Sequence, residues 1–141
     1  MRTKKRKNEA LSNVMLFSGC DGKEISHIAS LATEIEVPDG KVLAREGEPG
    51  REFYVILDGK ADVEIGGKQV ATLGAGDFFG EMALLDQGPR VATVTAASDM
   101  EVAVLDPREF VSLIEEHPAV ARKVLKVMAG RLRNAEQSPI H

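Results

Sequence analysis

The chain has 141 residues, 43% of them hydrophobic, and a formal net charge of −4, which is ordinary for one globular domain with a core of its own. It has no run of about 18 apolar residues and no apolar segment after its basic start, so we expect neither a membrane span nor a secretory leader. Its single cysteine, Cys20, excludes an internal disulfide and fits a reducing compartment. We therefore expect a cytoplasmic protein.

The first residues are basic, whereas the rest of the chain is acidic. The five positive charges are Arg2, Lys4, Lys5, Arg6 and Lys7. Charge runs of this kind are usually solvated, so we interpret residues 1–8 as a disordered tail, with contact to nucleic acid or anionic lipid as the alternative. An acidic body is a poor surface for nucleic acid, and we therefore expect no nucleic-acid partner within this chain.

Two short helices are predicted before the strands begin. Residues 8–18 carry apolar residues at helical spacing. Asp21 can cap a second helix, with Glu24 three residues later as its capping-box partner. The apolar face of this second helix is formed by Ile25, Ile28, Ala29 and Ala32. Both helices should pack on the outside of the structure that follows.

Between residues 34 and 105 the pattern changes to short strands separated by turns. Asp58-Gly59 and Gly66-Gly67-Lys68 are typical of β-hairpin connections. The predicted strands are 34–37, 41–46, 53–57, 61–65, 69–73, 91–96 and 101–105. Strands of this length and spacing predict a jelly-roll-like β-barrel, so the fold class is mainly β with flanking helices.

Two helices, a hinge and a lid, are predicted after the barrel. Pro107 begins a helix over 108–116, and His117-Pro118 separates it from a longer helix that reaches about Asn134. The longer helix has two apolar rows, so it can face the barrel with one and a partner with the other, or present one broad face to the core. The rows are Ala121, Leu125, Met128 and Leu132, and Val120, Val124 and Val127. We place the domain at 9–135 and a frayed tail at 136–141.

The stretch between Gly74 and Val94 has the features that a small phosphate ester needs. Its glycines, among them Gly80, let the backbone bend and approach a ligand closely. Residues 81–85 are good helix formers and predict one short helical turn, whose first amides can point at an anion. Arg90 follows a Gly-Pro turn and can bind phosphate oxygens in bidentate fashion. Glu81 beside a phosphate makes sense if it accepts a hydrogen bond from a hydroxyl of the same ligand.

The motif Phe79-Gly80-Glu81-Met82-Ala83-Leu84-Leu85, followed by Pro89-Arg90-Val91-Ala92-Thr93-Val94, closely resembles the phosphate-binding cassette of the cyclic nucleotide-binding domain family. That family includes the regulatory subunits of cyclic AMP-dependent kinase, the catabolite activator proteins and cyclic nucleotide-gated channels. The resemblance runs from about Leu16 to Leu132, which is nearly the whole chain. It implies a receptor module for a cyclic nucleotide.

The resemblance also implies a role for each cassette residue. Arg90 would bind the phosphate, and Glu81 would accept a hydrogen bond from the ribose 2′-hydroxyl. The amides of Met82, Ala83, Val91 and Ala92 would add secondary contacts. The full set of expected ligand-binding residues is Phe79, Gly80, Glu81, Met82, Ala83, Arg90, Val91 and Ala92.

Val91 bears on the choice of base. Many cyclic GMP-selective members of the family have Thr or Ser at this position, and that hydroxyl reaches the guanine. Val91 has no hydroxyl, so cyclic AMP is favoured over cyclic GMP. The last helix should cover the adenine with Arg131, Leu132 or Arg133, although solvated helix-end cations are the alternative for the two arginines.

We weigh three functions against one another. In the first, cyclic AMP binding repositions the last helix, and that movement is the output. In the second, a degenerate pocket leaves a protein-interaction module without nucleotide. In the third, the chain is an enzyme, which we reject because no nucleophile–base pair, metal set or Walker-type loop is visible.

Partners and metals are the remaining expectations. The resemblance favours a homodimer through the C-terminal helix, with an effector protein as the other partner. The histidines are His27, His117 and His141. None lies in a predicted barrel strand and no pair has metal-ligand spacing, so we expect no metal and no cupin-type enzyme.

Overall fold

The structure is a computed structural model that describes residues 4–80 and 88–137, without the side chains of residues 4–7, 15, 131 and 134–137. Its eight strands are β1 Thr33–Val37, β2 Val42–Ala44, β3 Phe53–Asp58, β4 Ala61–Ile65, β5 Lys68–Leu73, β6 Phe78–Phe79, β7 Thr93–Ala96 and β8 Met100–Leu105. They form two antiparallel four-stranded sheets, in the orders β1-β8-β3-β6 and β2-β7-β4-β5. The predicted fold class, a β-barrel with flanking helices, is confirmed.

The strand β3 lies between the two halves of the core, which explains its nearly continuous apolar sequence. Phe53, Val55 and Leu57 belong to the cluster that the helices pack against. Ile56, which alternates with them, belongs to the cluster between the two sheets. Because successive side chains of a strand point to opposite faces, both faces of β3 are covered and both must be apolar.

The helices are α1 Lys4–Ser12, a 3₁₀ turn at Met15–Phe17, α2 Gly22–Leu31, α3 Pro107–Glu116 and α4 Pro118–Gln137. The capping box predicted for α2 is present, because the Asp21 side chain accepts from the amide of Glu24 and the Glu24 side chain accepts from the amide of Asp21. A second capping box, between Asp106 and Glu109, begins α3. Caps of this kind satisfy amides that the helix itself leaves without partners.

Several element boundaries differ from the predicted ones. The predicted tail over 1–8 is helical from Lys4 onward, because lysine and arginine are good helix formers and extend α1 toward the N-terminus. β2 ends at Ala44 rather than at residue 46, since the amide of Glu46 donates to Oγ1 of Thr93. β6 is new, and its two residues pair with β3. α4 continues to Gln137, three residues beyond its predicted end.

The helix α4 packs with its first half on the body of the protein. Val120 and Val124 are buried in the helix-side core, and Met128 packs against it. Leu125 and Leu132 are 63% and 62% exposed. The two predicted apolar rows are therefore separated in space: the valine row begins in the core, while the leucines lie in solvent. Among the described helices, none is long and apolar enough to cross a membrane.

Candidate functional site

The site is built around Arg90, a charged side chain that is only 7% exposed. Its backbone is held by the turn after β2, because the Arg90 amide donates to the carbonyl of Glu48 and the Gly47 amide donates to the carbonyl of Arg90, at 2.9 and 2.8 Å. These two bonds connect the loop before β7 to the turn after β2. The strand β7 itself starts only at Thr93, two residues later than predicted. The loop therefore fixes the direction in which the guanidinium enters the protein.

The described residues satisfy the guanidinium of Arg90 only in part. Nη2 donates to the carbonyl of Glu52 at 3.0 Å and lies 3.7 Å from the Glu52 carboxylate, which is half exposed. Nη1 is buried and has no hydrogen-bond partner among the residues that the structure describes. A buried donor on a charged group without a partner is costly, so such groups are rare unless a ligand completes them.

Two glycines make room for this side chain. A Cβ at Gly80 would lie 2.9 Å from Nη1 of Arg90 and closer still to the carbonyl oxygen of Glu52, and Gly80 has a φ of +97°, which disfavours other residues. A Cβ at Gly50 would collide with Nε of Arg90 and lie 2.9 Å from its Cζ. Nη1, which has no partner among the described residues, therefore faces Gly80, and the missing Cβ of this glycine leaves room beside the guanidinium.

An aromatic pair lies beneath the arginine. Tyr54 and Phe79 stack with ring centroids 4.6 Å apart and an interplanar angle of 14°. Cζ of Arg90 lies 5.9 Å from the centroid of the Tyr54 ring, within reach of a cation–π interaction. Burial and then the Glu52 carboxylate raise the pKa of Tyr54, while Arg90 lowers it. The side chain of Phe79 is 6% exposed, so this residue packs in the core and positions the loop by stacking.

The structure brings some of the predicted residues together. Gly80 and Arg90 meet directly, whereas Val91 is 62% exposed beside them and Ala92 is partly buried. Glu81, Met82 and Ala83 lie outside the described residues. Leu132 and Arg133 are exposed on α4, and the Arg131 side chain lies outside the described part.

Sequence reasoning missed the residues that hold Arg90. Glu52, Gly50 and Tyr54 surround the guanidinium but precede it by 36 to 40 positions. The segment from Gly47 to Gly50 lies between the predicted strands 41–46 and 53–57, where the sequence indicates no more than a connecting turn. Its two glycines and adjacent carboxylates were the available signal, but their pairing with a distant arginine is a tertiary property.

A β-barrel with a buried arginine and a glycine-lined loop defines a domain whose site suits a small anion. The sequence profile described as "Cyclic nucleotide-binding domain" matches residues 34–117. Because this is more than half of the chain, the protein belongs to the cyclic nucleotide-binding domain family. The resemblance drawn from the cassette is thereby confirmed.

Relatives and solved structures support this membership. The chain is 34% identical to the cyclic AMP receptor protein of Thermus thermophilus, over 86% of this chain and 58% of that protein. It is similar to the regulatory domain of Toxoplasma gondii PKA solved with cAMP, with a TM-score of 0.76, 28% identity and coverage of 89% and 50%. It is also similar to the regulatory subunit of a cAMP-independent protein kinase A from Trypanosoma brucei, with a TM-score of 0.72, 28% identity and coverage of 96% and 49%.

The chain spans 26% to 61% of the length of the curated relatives it matches. These relatives include proteins named as transcriptional regulators, regulatory subunits of protein kinases and a putative potassium channel.

Proposed function

We propose that this chain is a receptor module for a cyclic nucleotide, with cyclic AMP as the preferred ligand, and not an enzyme. The observation that carries the proposal is the buried guanidinium of Arg90, whose Nη1 has no partner among the described residues and faces Gly80. A phosphate monoanion supplies both the missing acceptor and the missing negative charge. The half-exposed Glu52 carboxylate at 3.7 Å neutralises Arg90 only in part.

The other cassette residues would complete the site. Glu81 would accept the ribose 2′-hydroxyl, and the amides of Met82, Ala83, Val91 and Ala92 would add bonds to the phosphate. Gly80 allows the close approach, and Phe79 holds the loop against Tyr54. Val91 offers no hydroxyl to a guanine, and a site that lacks a needed polar partner discriminates against the ligand that requires it.

The output would be a movement of α4. The helix is joined to α3 at His117-Pro118, and only its first half is anchored in the core. Closure would bring Arg131, Leu132 or Arg133 over the adenine and would favour one of two helix positions. The receptor domain would span residues 9–135. The partner of α4 would be an effector protein or a second copy of the chain, which would dock on Leu125 and Leu132. We place this signalling in the cytoplasm.

The second candidate is an interaction module that uses the same fold without a nucleotide. The similarity to a cAMP-independent regulatory subunit supports keeping it, because a shared fold does not imply a shared ligand. The incomplete coordination of Arg90 within the described residues favours the receptor, since a module without ligand would have no use for a buried donor of this kind.

Isothermal titration calorimetry with cyclic AMP and cyclic GMP tests the proposal. We expect Arg90→Ala to weaken cyclic AMP binding by about 30-fold or more, because truncating one partner of a buried charge pair costs about 2–5 kcal/mol. Arg108→Ala, which removes an exposed arginine from α3, is the matched control and should bind like the wild type. No binding to the wild type would favour the interaction module, and wild-type affinity in Arg90→Ala would refute the role of Arg90.

A further inference from the structure

Two histidines that are 90 positions apart in sequence meet at the corner between α2, α3 and α4. Nδ1 of His27, on α2, lies 3.0 Å from Nε2 of His117, the residue that ends α3. Nε2 of His27 lies 3.4 Å from Oε2 of Glu116. The sequence showed no histidine pair with metal-ligand spacing, and the fold supplies the proximity that sequence spacing lacks.

The three contacting side chains have the composition of a metal site. One ligand atom each from His27, Glu116 and His117 lies within 4.8 Å of the other two. Two nitrogens bound to one zinc ion at about 2.0–2.1 Å lie about 3–3.4 Å apart, so the observed 3.0 Å separation is close to that of two adjacent ligands. Imidazole nitrogens with one carboxylate suit zinc and similar divalent transition metals.

A second carboxylate orients the buried histidine. Oε2 of Glu24 lies 3.3 Å from Nδ1 of His117, and its other oxygen is held by the amide of Asp21 in the capping box. His117 is 5% exposed, so its ring has little freedom to turn. An acceptor at Nδ1 leaves Nε2 as the nitrogen with a free lone pair, which is how carboxylates commonly support histidine ligands of zinc.

The three contacts within the cluster require more hydrogens than two neutral imidazoles carry. The contacts Glu24–His117, His117–His27 and His27–Glu116 each require one hydrogen between two acceptors. Two neutral imidazoles provide only two N–H groups. The single N–H of a neutral His27 can serve only one of its two contacts. If Glu116 accepts it, Nδ1 of His27 and Nε2 of His117 face each other as two lone pairs, and the two carboxylates add two negative charges. A divalent ion between the two lone pairs would remove this conflict and offset the charges.

We propose that His27, His117 and Glu116 bind a divalent transition metal, with zinc as the test ion and Glu24 as the orienting carboxylate. The side chains of His27 and Glu116 are 42% and 55% exposed, so they can adjust to the ion and leave a position for water. The ion would join α2 to the junction of α3 and α4. This inference is independent of the nucleotide site.

Zinc titration of the metal-free protein without an affinity tag tests the site by calorimetry and by competition with a chromophoric chelator. We expect one zinc ion per chain, at least tenfold weaker binding in His27→Gln and Glu116→Gln, and about 10- to 100-fold weaker binding in Glu24→Gln. Glu115→Gln, an exposed neighbour, and Cys20→Ser are controls that should retain binding. Side-chain nitrogen resonances of His27 and His117 should shift on addition of zinc.

Two results would overturn the proposal. One is the absence of zinc binding at millimolar concentrations, which would mean that the cluster holds only a proton. The other is binding that His27→Gln and Glu116→Gln leave unchanged, which would place the ion elsewhere. Because these two side chains are partly exposed, their variants should fold, and circular dichroism checks that they do.

Discussion

Arg90 and His117 are the two buried polar side chains of the described residues, at 7% and 5% exposure, and they differ in how well the protein satisfies them. Nη1 of Arg90 has no partner in the described part. Both nitrogens of His117 face a partner, one on Glu24 and one on His27. The two residues differ in what they need from a ligand: the guanidinium of Arg90 lacks an acceptor that an anion would supply, whereas His117 has partners within the protein even before any metal binds.

The difference also predicts where each residue contributes its free energy. His117 joins three helices in the folded chain, so its contacts should stabilise the fold with or without a ligand. Among the described residues, the guanidinium of Arg90 has one hydrogen bond and one ion pair, both to Glu52, so we expect it to contribute mainly when an anion binds. Binding-site residues often add little to the stability of the ligand-free fold and contribute mainly to the stability of the complex.

The largest loss of fold stability is expected from a substitution at Gly80, which packs against Arg90. Gly80→Ala adds a Cβ that overlaps the carbonyl of Glu52 and forces a non-glycine residue to φ +97°, so we expect a loss of about 3 kcal/mol or more in urea unfolding. Gly40→Ala is the matched control, because Gly40 has φ +88° but open space around it, and it should lose only about 1–2 kcal/mol. Equal losses of unfolding free energy in the two variants would show that the space between Gly80, Glu52 and Arg90 is not tightly packed.

The next prediction compares the unfolding free energies of a His117 variant and an Arg90 variant in the absence of nucleotide and metal. His117→Ala should lower the free energy of unfolding by about 2–3 kcal/mol, because it leaves a cavity and an unpaired Glu24. Arg90→Ala should lower it by less than about 1 kcal/mol, because it removes a buried donor that lacks a partner among the described residues. The measurement is urea unfolding followed by circular dichroism. A reversed order would contradict the expectation that, without nucleotide and metal, His117 stabilises the fold more than Arg90 does.

The smallest effect is a shift in the pKa of Tyr54, which is the only tyrosine in a chain without tryptophan. Burial raises this pKa first, the Glu52 carboxylate raises it further and Arg90 lowers it. Arg90→Ala should therefore move the alkaline titration midpoint upward, and Glu52→Gln should move it downward, as followed by phenolate absorbance. A shift in the same direction in both variants would rule out the proposed electrostatics.

The raised pKa of Tyr54 also makes the stability of the fold depend on pH. Because the pKa of Tyr54 is raised above its ordinary value of 10.0, the folded state keeps the phenolic proton to a higher pH than the unfolded state does. This contribution is fully present below pH 10 and is lost as the pH rises through the folded-state pKa. The stability of the wild type should therefore decline in that alkaline range.

Local patterns predicted much of the fold and part of the site. The capping box at Asp21 and the alternation along β3 depend on neighbouring residues, so they could be recognised in the sequence. The cassette was recognisable for the same reason, since Gly80 and Arg90 lie ten positions apart. The strand β6 was missed because a two-residue strand has no period of its own and exists only through its pairing with β3.

Short-range sequence patterns were enough to predict most of the helices and strands, the glycine-bent loop and the arginine beside it, because each is encoded within a few neighbouring residues. The packing of distant segments surrounds that arginine with Glu52, Gly50 and Tyr54 and leaves one of its nitrogens without a partner among the described residues. The meeting of His27 with His117 belongs to the same category. Contacts across 38 or 90 positions depend on how sheets and helices pack, and no local pattern specifies that packing.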